Sequence, residues 1–124
     1  MSNTFVWVDI PVVDLDRAIA FYGAVLGRGV DKIETPDFTF GLFKHEGEEV
    51  GGCLVRLEGE DAGPSMNGPL VYLDATGRLD AALAAVQAGG GRIMQAKHPI
   101  GPHGWRAVIA DTEGNRVALH SPTA

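Results

Sequence analysis

The strongest constraint on this chain is that it says the same thing twice. Shifting the first half by 64 residues lays Leu15-Asp16 on Leu79-Asp80, Ala18 on Ala82, Ile19 on Leu83, Ala20 on Ala84 and Ala24 on Ala88. A shift of 67 lays Glu46-Gly47 on Glu113-Gly114 and Val50 on Val117. The order of the elements repeats as well. Phe5–Ile10 is rich in strand formers. Asp14 then stands where a helix N-cap belongs, and Ile19, Tyr22, Val25 and Leu26 follow at helical spacing up to Gly27. Strands are expected at 38–44 and 50–58, with a weakly marked one at 30–34. In the second half a strand at 70–75 leads to an Ala/Leu-rich helix at 79–88. Gly89-Gly90-Gly91 stops that helix, and strands follow near 92–97, 104–110 and 115–120. Self-similarity of this kind marks two copies of one supersecondary unit.

This reading gives one α+β domain, residues 1–124, made of two βαβββ modules. Module one covers 1–58 and module two 70–124. The Gly/Pro/Ser-rich stretch 59–69 holds almost nothing that packs and reads as a linker. A ferredoxin-like sandwich is the alternative, but the number of strands after each helix argues against it. At 124 residues the chain can bury an ordinary core.

Composition narrows the function. The formal net charge is −6 and the ten Lys/Arg are scattered, whereas a nucleic-acid surface needs clustered basic side chains. No nucleic acid and no membrane partner is expected. No stretch is long and apolar enough to span a bilayer, and no targeting segment is recognised, so a cytoplasmic protein is expected. Cys53 is the only cysteine, which excludes an internal disulfide. No phosphate-binding loop, nucleophile elbow or C-x-x-C pattern is present.

The motifs VDIPVVDLDRAIAFYGAVLG in module one and GGGRIMQAKHPIG with DTEGNRVALHSP in module two resemble the vicinal oxygen chelate superfamily. This includes glyoxalase I, the bleomycin and fosfomycin resistance proteins and the extradiol dioxygenases. The likeness is greatest to the branch described as predicted enzymes related to lactoylglutathione lyase. The resemblance implies two half-barrels that face each other around a pocket, with metal ligands on the first and last strand of each module. It places the first ligand seven residues before the helix-opening Asp14, at Trp7, and the closing one three after Asn115, at Ala118. The repeat then places the others at Val71 and Gly51. None of these is a His, carboxylate or thiolate, the groups that hold a divalent ion. No cofactor is therefore expected, although the family implies a divalent metal.

Strand alternation extends the assignment. It puts Phe5, Trp7 and Asp9, Gly51, Cys53 and Val55, Val71 and Leu73, and Arg116, Ala118 and His120 toward the pocket. The opposite parity, Val6, Val8, Ile10, Val117 and Leu119, is uniformly apolar and should lie under the helices. Asp9 and His120 are the candidate catalytic pair, since a carboxylate beside an imidazole suits proton transfer. The same residues would also make an ordinary buried hydrogen bond. Trp7, Cys53, Val71, His103, Trp105 and Ala118 are the candidate ligand-binding residues. Trp7 would stack on a planar ligand or simply fill the pocket. Cys53 reads as an inert thiol. His103 and Trp105 would sit on a rim loop after His98, or form a plain hairpin turn. Two functions stay open: a glyoxalase-like lyase, isomerase or oxygenase on a small oxygenated substrate, and a metal-free binder that sequesters a small molecule in the manner of bleomycin resistance. The resemblance also implies a homodimer.

Overall fold

The computed structural model describes residues 3–57 and 63–124. Module one runs β1 (Trp7–Pro11), α1 (Leu15–Leu26), β2 (Val30–Glu34), β3 (Thr39–Phe43) and β4 (Gly51–Val55). Module two runs β5 (Val71–Asp74), α2 (Leu79–Ala88), β6 (Arg92–Pro99), β7 (Trp105–Ala110) and β8 (Arg116–Ser121), with one 3-10 turn at Gly101–His103. Residues 59–62 of the expected linker lie outside the described residues.

Each module builds one four-stranded sheet, ordered β1-β4-β3-β2 and β5-β8-β7-β6. In both, the first strand lies parallel to the last and the remaining pairs are antiparallel. The two βαβββ units expected from the repeat are thus present, strand for strand.

Why α1 forms is visible at its ends. The Asp14 side chain accepts from the Arg17 backbone N–H at 3.0 Å, which satisfies one of the first-turn donors. Gly27 closes the helix at φ 67°, a left-handed conformation that costs glycine nothing. The position equivalent to Asp14 is Arg78, which offers α2 no side-chain cap. The Arg78 guanidinium instead donates to the Val25 carbonyl at the C-terminus of α1. A cation there is favoured by the helix dipole, so one residue that opens α2 also finishes α1.

The core lies between the helices and one face of each sheet. Ala18, Phe21, Tyr22 and Val25 of α1 and Leu79, Ala82 and Val86 of α2 are buried with Ile10, Leu54, Ile109, Val117 and Leu119. Ile10, Val117 and Leu119 are of the parity expected to lie under the helices, and burial of such side chains is the main stabilising term. The other face of each sheet carries no helix. Its first-strand aromatics, Trp7 and Tyr72, are about half exposed.

Candidate functional site

The registers decide what shares the helix-free face. In module one Trp7 pairs with Gly51 and Asp9 with Cys53, so Trp7, Asp9, Gly51 and Cys53 stand together as expected. In module two Tyr72 pairs with Ala118 and Asp74 with His120. Val71 and Leu73 pair with the core residues Val117 and Leu119. The sequence expectation for β5 is therefore off by one, and Tyr72, not Val71, is the counterpart of Trp7. The cause is the connection. Four residues separate Asp9 from the N-cap Asp14, but only three separate Asp74 from Arg78. A tight turn closed by Arg78 N–H to Ala75 O at 3.0 Å, with Gly77 at φ 73°, takes the shorter path. A one-residue change reverses every side chain on a strand.

The four places where the resemblance puts metal ligands therefore hold Trp7, Gly51, Tyr72 and Ala118. In each module an aromatic from the first strand faces a minimal residue on the last. A Cβ built on Gly51 would lie 2.9 Å from Trp7 Cζ3 and 2.9 Å from the His45 ring. No side chain of any kind fits there while Trp7 and His45 stand in place. In module two the Tyr72 hydroxyl meets the Arg106 guanidinium. Tyr72 is on β5 and Arg106 on β7, so the pair bridges over β8, where Ala118 is fully buried. Among the described residues no three His, Cys, Asp or Glu side chains come together in a way that could hold a metal ion. A divalent ion does not fit this donor set.

The candidate catalytic pair is divided between the sheets. Asp9 Oδ1 accepts from Trp7 Nε1 at 2.9 Å and from Cys53 Sγ at 3.2 Å. Burial, followed by the Asp9 contact, pushes the Cys53 thiol up to about 11, so it is protonated and unreactive near neutral pH. His120 Nε2 donates to the His103 carbonyl at 2.6 Å. Asp9 and His120 share no hydrogen bond. The carboxylate beside His120 is Asp74, its partner across β5 and β8. Hydrogen bonds from the Thr76 hydroxyl and backbone N–H lower the Asp74 pKa, with Arg28 and then His120 adding to the effect.

His103 is exposed and offers its backbone carbonyl to His120. Trp105 packs against the core on the helix side, with Lys97 5.9 Å from its ring centre. Its neighbour Arg106 is the residue that reaches the helix-free face. Arg106 Nε donates to His98 Nε2 at 3.0 Å, which requires that nitrogen to be unprotonated. His98 Nδ1 is then the donor to Ala96 O at 2.8 Å. Asp74, His120, Arg106 and His98 thus form one row across β5, β8, β7 and β6. Sequence reasoning missed Tyr72, Asp74 and Arg106. Alternation anchored on Ala107 and Ile109 as core residues would have found Arg106.

A cleft of about 700 Å³ opens between the free edges of β1 and β5. Phe5, Trp7, Pro69, Leu70, Val71 and Tyr72 supply its apolar walls, and Asp9 and Arg116 its charges. Val71 borders it despite facing the core, because β5 is an edge strand. A smaller cleft of about 280 Å³ lies on the helix side of β1 among Arg28, Lys44 and Asp74.

The comparisons with known proteins agree on this architecture. The family model for the Glyoxalase/Bleomycin resistance protein/Dioxygenase superfamily matches residues 4–119. By sequence, no curated protein matches the chain. A glyoxalase/bleomycin resistance protein from Albidiferax ferrireducens T118 has a similar structure, with a TM-score of 0.76 at 20% identity over 96% of this chain and 98% of that one. A glyoxalase-related enzyme from Fulvimarina pelagi gives 0.71 at 12% identity, over 97% and 88%. Glyoxalase I from Zea mays gives 0.67 at 24% identity, but 94% of this chain spans only 45% of the maize chain. At these identities the likeness is one of fold.

Proposed function

The chain belongs to the Glyoxalase/Bleomycin resistance protein/Dioxygenase superfamily, and on that premise we propose that it binds a small, largely apolar organic molecule without a metal ion. The binding site is the cleft between β1 and β5. The observation that carries this reading is the replacement of the ligand positions by two aromatic-over-small pairs, Trp7 with Gly51 and Tyr72 with Ala118. The same exchange that removes metal ligands supplies flat apolar walls, which suit a planar guest. This favours the sequestering role over the metal-dependent lyase, isomerase and oxygenase chemistries of the family.

The enzyme reading keeps one support. Asp74 and His120 are side by side across β5 and β8, and an imidazole so placed can take and return a proton. Asp9 has no part in that pair. The homodimer is proposed on the exposed aromatic residues Phe5 and Phe38, which an isolated chain leaves in water. A cytoplasmic setting is proposed on the unpaired Cys53. Among the described residues no helix is long and apolar enough to cross a membrane.

Thermal unfolding tests the binding proposal. A planar aromatic compound should raise the Tm in the presence of a chelator. Zn, Ni, Mn and Fe ions should leave it unchanged. Stabilisation of the protein by a stoichiometric divalent ion would overturn the proposal. Sedimentation at two concentrations tests the dimer.

A further inference from the structure

Arg116 opens β8 on the helix-free parity and lines the large cleft. Its backbone N–H donates to Ser65 O at 3.3 Å, and its Nη2 donates to Gly68 O at 3.2 Å. The residue is thereby tied to the chain segment that forms one wall of the cleft. Its Nε–H is shielded from solvent and has no acceptor among the described residues. No carboxylate of the described residues lies within ion-pair distance of its guanidinium, whereas Arg17 and Arg28 are both paired. The guanidinium thus lines the cleft with no carboxylate of the described residues to neutralise it, and an unpaired charge at the wall of an apolar cleft favours a guest of opposite charge. A guanidinium carries five donors in a planar fork that matches two oxygens of an acid.

The remaining walls say what such an acid must look like. Phe5, Trp7, Pro69, Leu70 and Tyr72 accept an apolar or aromatic body. Asp9 is the other charge of the cleft, and its Oδ1 is already taken by Trp7 and Cys53. A second negative charge on the guest would be repelled there, while a hydroxyl or amine would be welcome.

We propose that the cleft takes small aromatic or apolar monoacids, with Arg116 holding the carboxylate and the Trp7 side of the cleft holding the body. The proposal rests on the cleft being the binding site, and adds the chemical class of its guest. Arg106, on the same face but outside the cleft, is already occupied by Tyr72 and His98 and is not the anchor.

Isothermal titration with 2-naphthoate, its neutral isostere 2-naphthamide and the cation 2-naphthylmethylamine tests this on the full chain. The naphthoate should bind about tenfold or more tightly than the amide, the range expected of a charge-assisted hydrogen-bonded pair. Arg116→Gln should erase that preference, bringing naphthoate affinity down to that of the amide, while a native circular-dichroism spectrum and a cooperative thermal transition show that the variant folds. Arg116→Lys should keep part of the preference, and Arg106→Gln should keep all of it. Equal binding of acid and amide by the native protein would overturn the anchor and leave the cleft reading standing. Loss of the preference in Arg106→Gln but not in Arg116→Gln would move the anchor and overturn it too. Binding of none of the three compounds would overturn the cleft reading and this proposal with it.

Discussion

The turns that close the two modules share a Glu-Gly pair and meet opposite fates. In module one, Glu46-Gly47 sits in solvent, and the Glu46 backbone N–H donates to Glu49 Oε1 at 2.7 Å. In module two, Glu113 is buried and ties the turn to the start of α1 in the other module. Its Oε1 accepts from the Val13 and Asp14 backbone N–H groups at 2.8 and 2.7 Å and from Arg17 Nη2 at 3.0 Å. Its Oε2 accepts from Arg17 Nε and from the Thr112 hydroxyl, both at 2.7 Å. Asp111 and Asn115 extend the clamp. Asp111 accepts from Tyr22 Oη at 2.5 Å and from Asn115 Nδ2 at 2.9 Å, and Asn115 Nδ2 also reaches Pro11 O at 2.7 Å. The 67-residue counterparts in module one are Lys44 and Glu48, which cannot make these bonds. One module's turn is a surface loop and the other's is an inter-module fastener, although the local sequence motif is the same.

The largest effect should come from cutting the fastener. Glu113→Ala leaves two backbone donors of the α1 start without their acceptor and removes the partner of Arg17. A loss of about 3 kcal/mol is expected in urea unfolding. Acid should act on the same group. Burial opposes ionisation of Glu113, but the Arg17 hydrogen bond, then the Asp14 N–H, Thr112 hydroxyl and Val13 N–H, more than offset it and hold the carboxyl at about 2. The folded value lies below the ordinary 4.5. Its stabilisation is therefore complete above that value and drains away as pH falls from 4.5 toward 2. Over this window the native protein should lose stability more steeply than Glu113→Gln. Equal slopes would break the comparison.

The second contrast is between Asp9 with Cys53 and its counterpart Asp74 with His120. With the Cys53 thiol raised from 9.0 to about 11, its thiolate fraction at pH 8 falls roughly a hundredfold. Iodoacetamide should label it slower than a free cysteine by about that factor, and Asp9→Asn should speed the reaction. Labelling at the ordinary rate would mean that Asp9 and the burial do not act on the thiol.

Smaller effects follow. Tyr22→Phe removes the hydroxyl that serves Asp111, and should cost about 1–2 kcal/mol. The Tyr22 hydroxyl is held well above its usual range by burial and then by the Asp111 charge, so it contributes as a neutral donor throughout the ordinary pH range. The smallest effect belongs to the control. Glu46→Ala should change unfolding by no more than about 0.5 kcal/mol. A Glu46 effect as large as that of Glu113 would show that the two turns are equivalent after all.

These contrasts mark where sequence reading succeeded and where it stopped. The helices, their ends and the buried parity of β1, β4 and β8 were legible because periodicity and capping are local. Trp7, Gly51 and Ala118 followed from the motifs of the resemblance and stand on the helix-free face. Tyr72 was hidden because the repeat was counted from the helix, and the turn before α2 is one residue shorter than the one before α1. Trp105 looked like a rim residue because a His-rich turn precedes it, yet its parity sends it to the core and leaves Arg106 outside. The meeting of Asp9 with His120 was a statement about distance between two sheets, which no strand pattern contains.

By itself, the amino-acid order determined the two βαβββ modules, the faces that go inward, and the substitution of metal-ligand positions by Trp7, Gly51 and Ala118. The inward faces depend on spacing along single strands, the modules on the repeat, and the ligand positions on the motifs of the resemblance. Only the tertiary structure decided that Tyr72 completes the set, that His120 faces Asp74, that Glu113 is a clamp while Glu46 is not, and that Arg116 borders a cleft with an unsatisfied donor. The first two depend on the register of β5 against β8, which the turn before α2 sets, and the Glu113 clamp depends on which surfaces of the two modules come together. The partners of Glu113 are nearly a hundred positions away and those of Asp74 nearly fifty, and local periodicity carries no record of either.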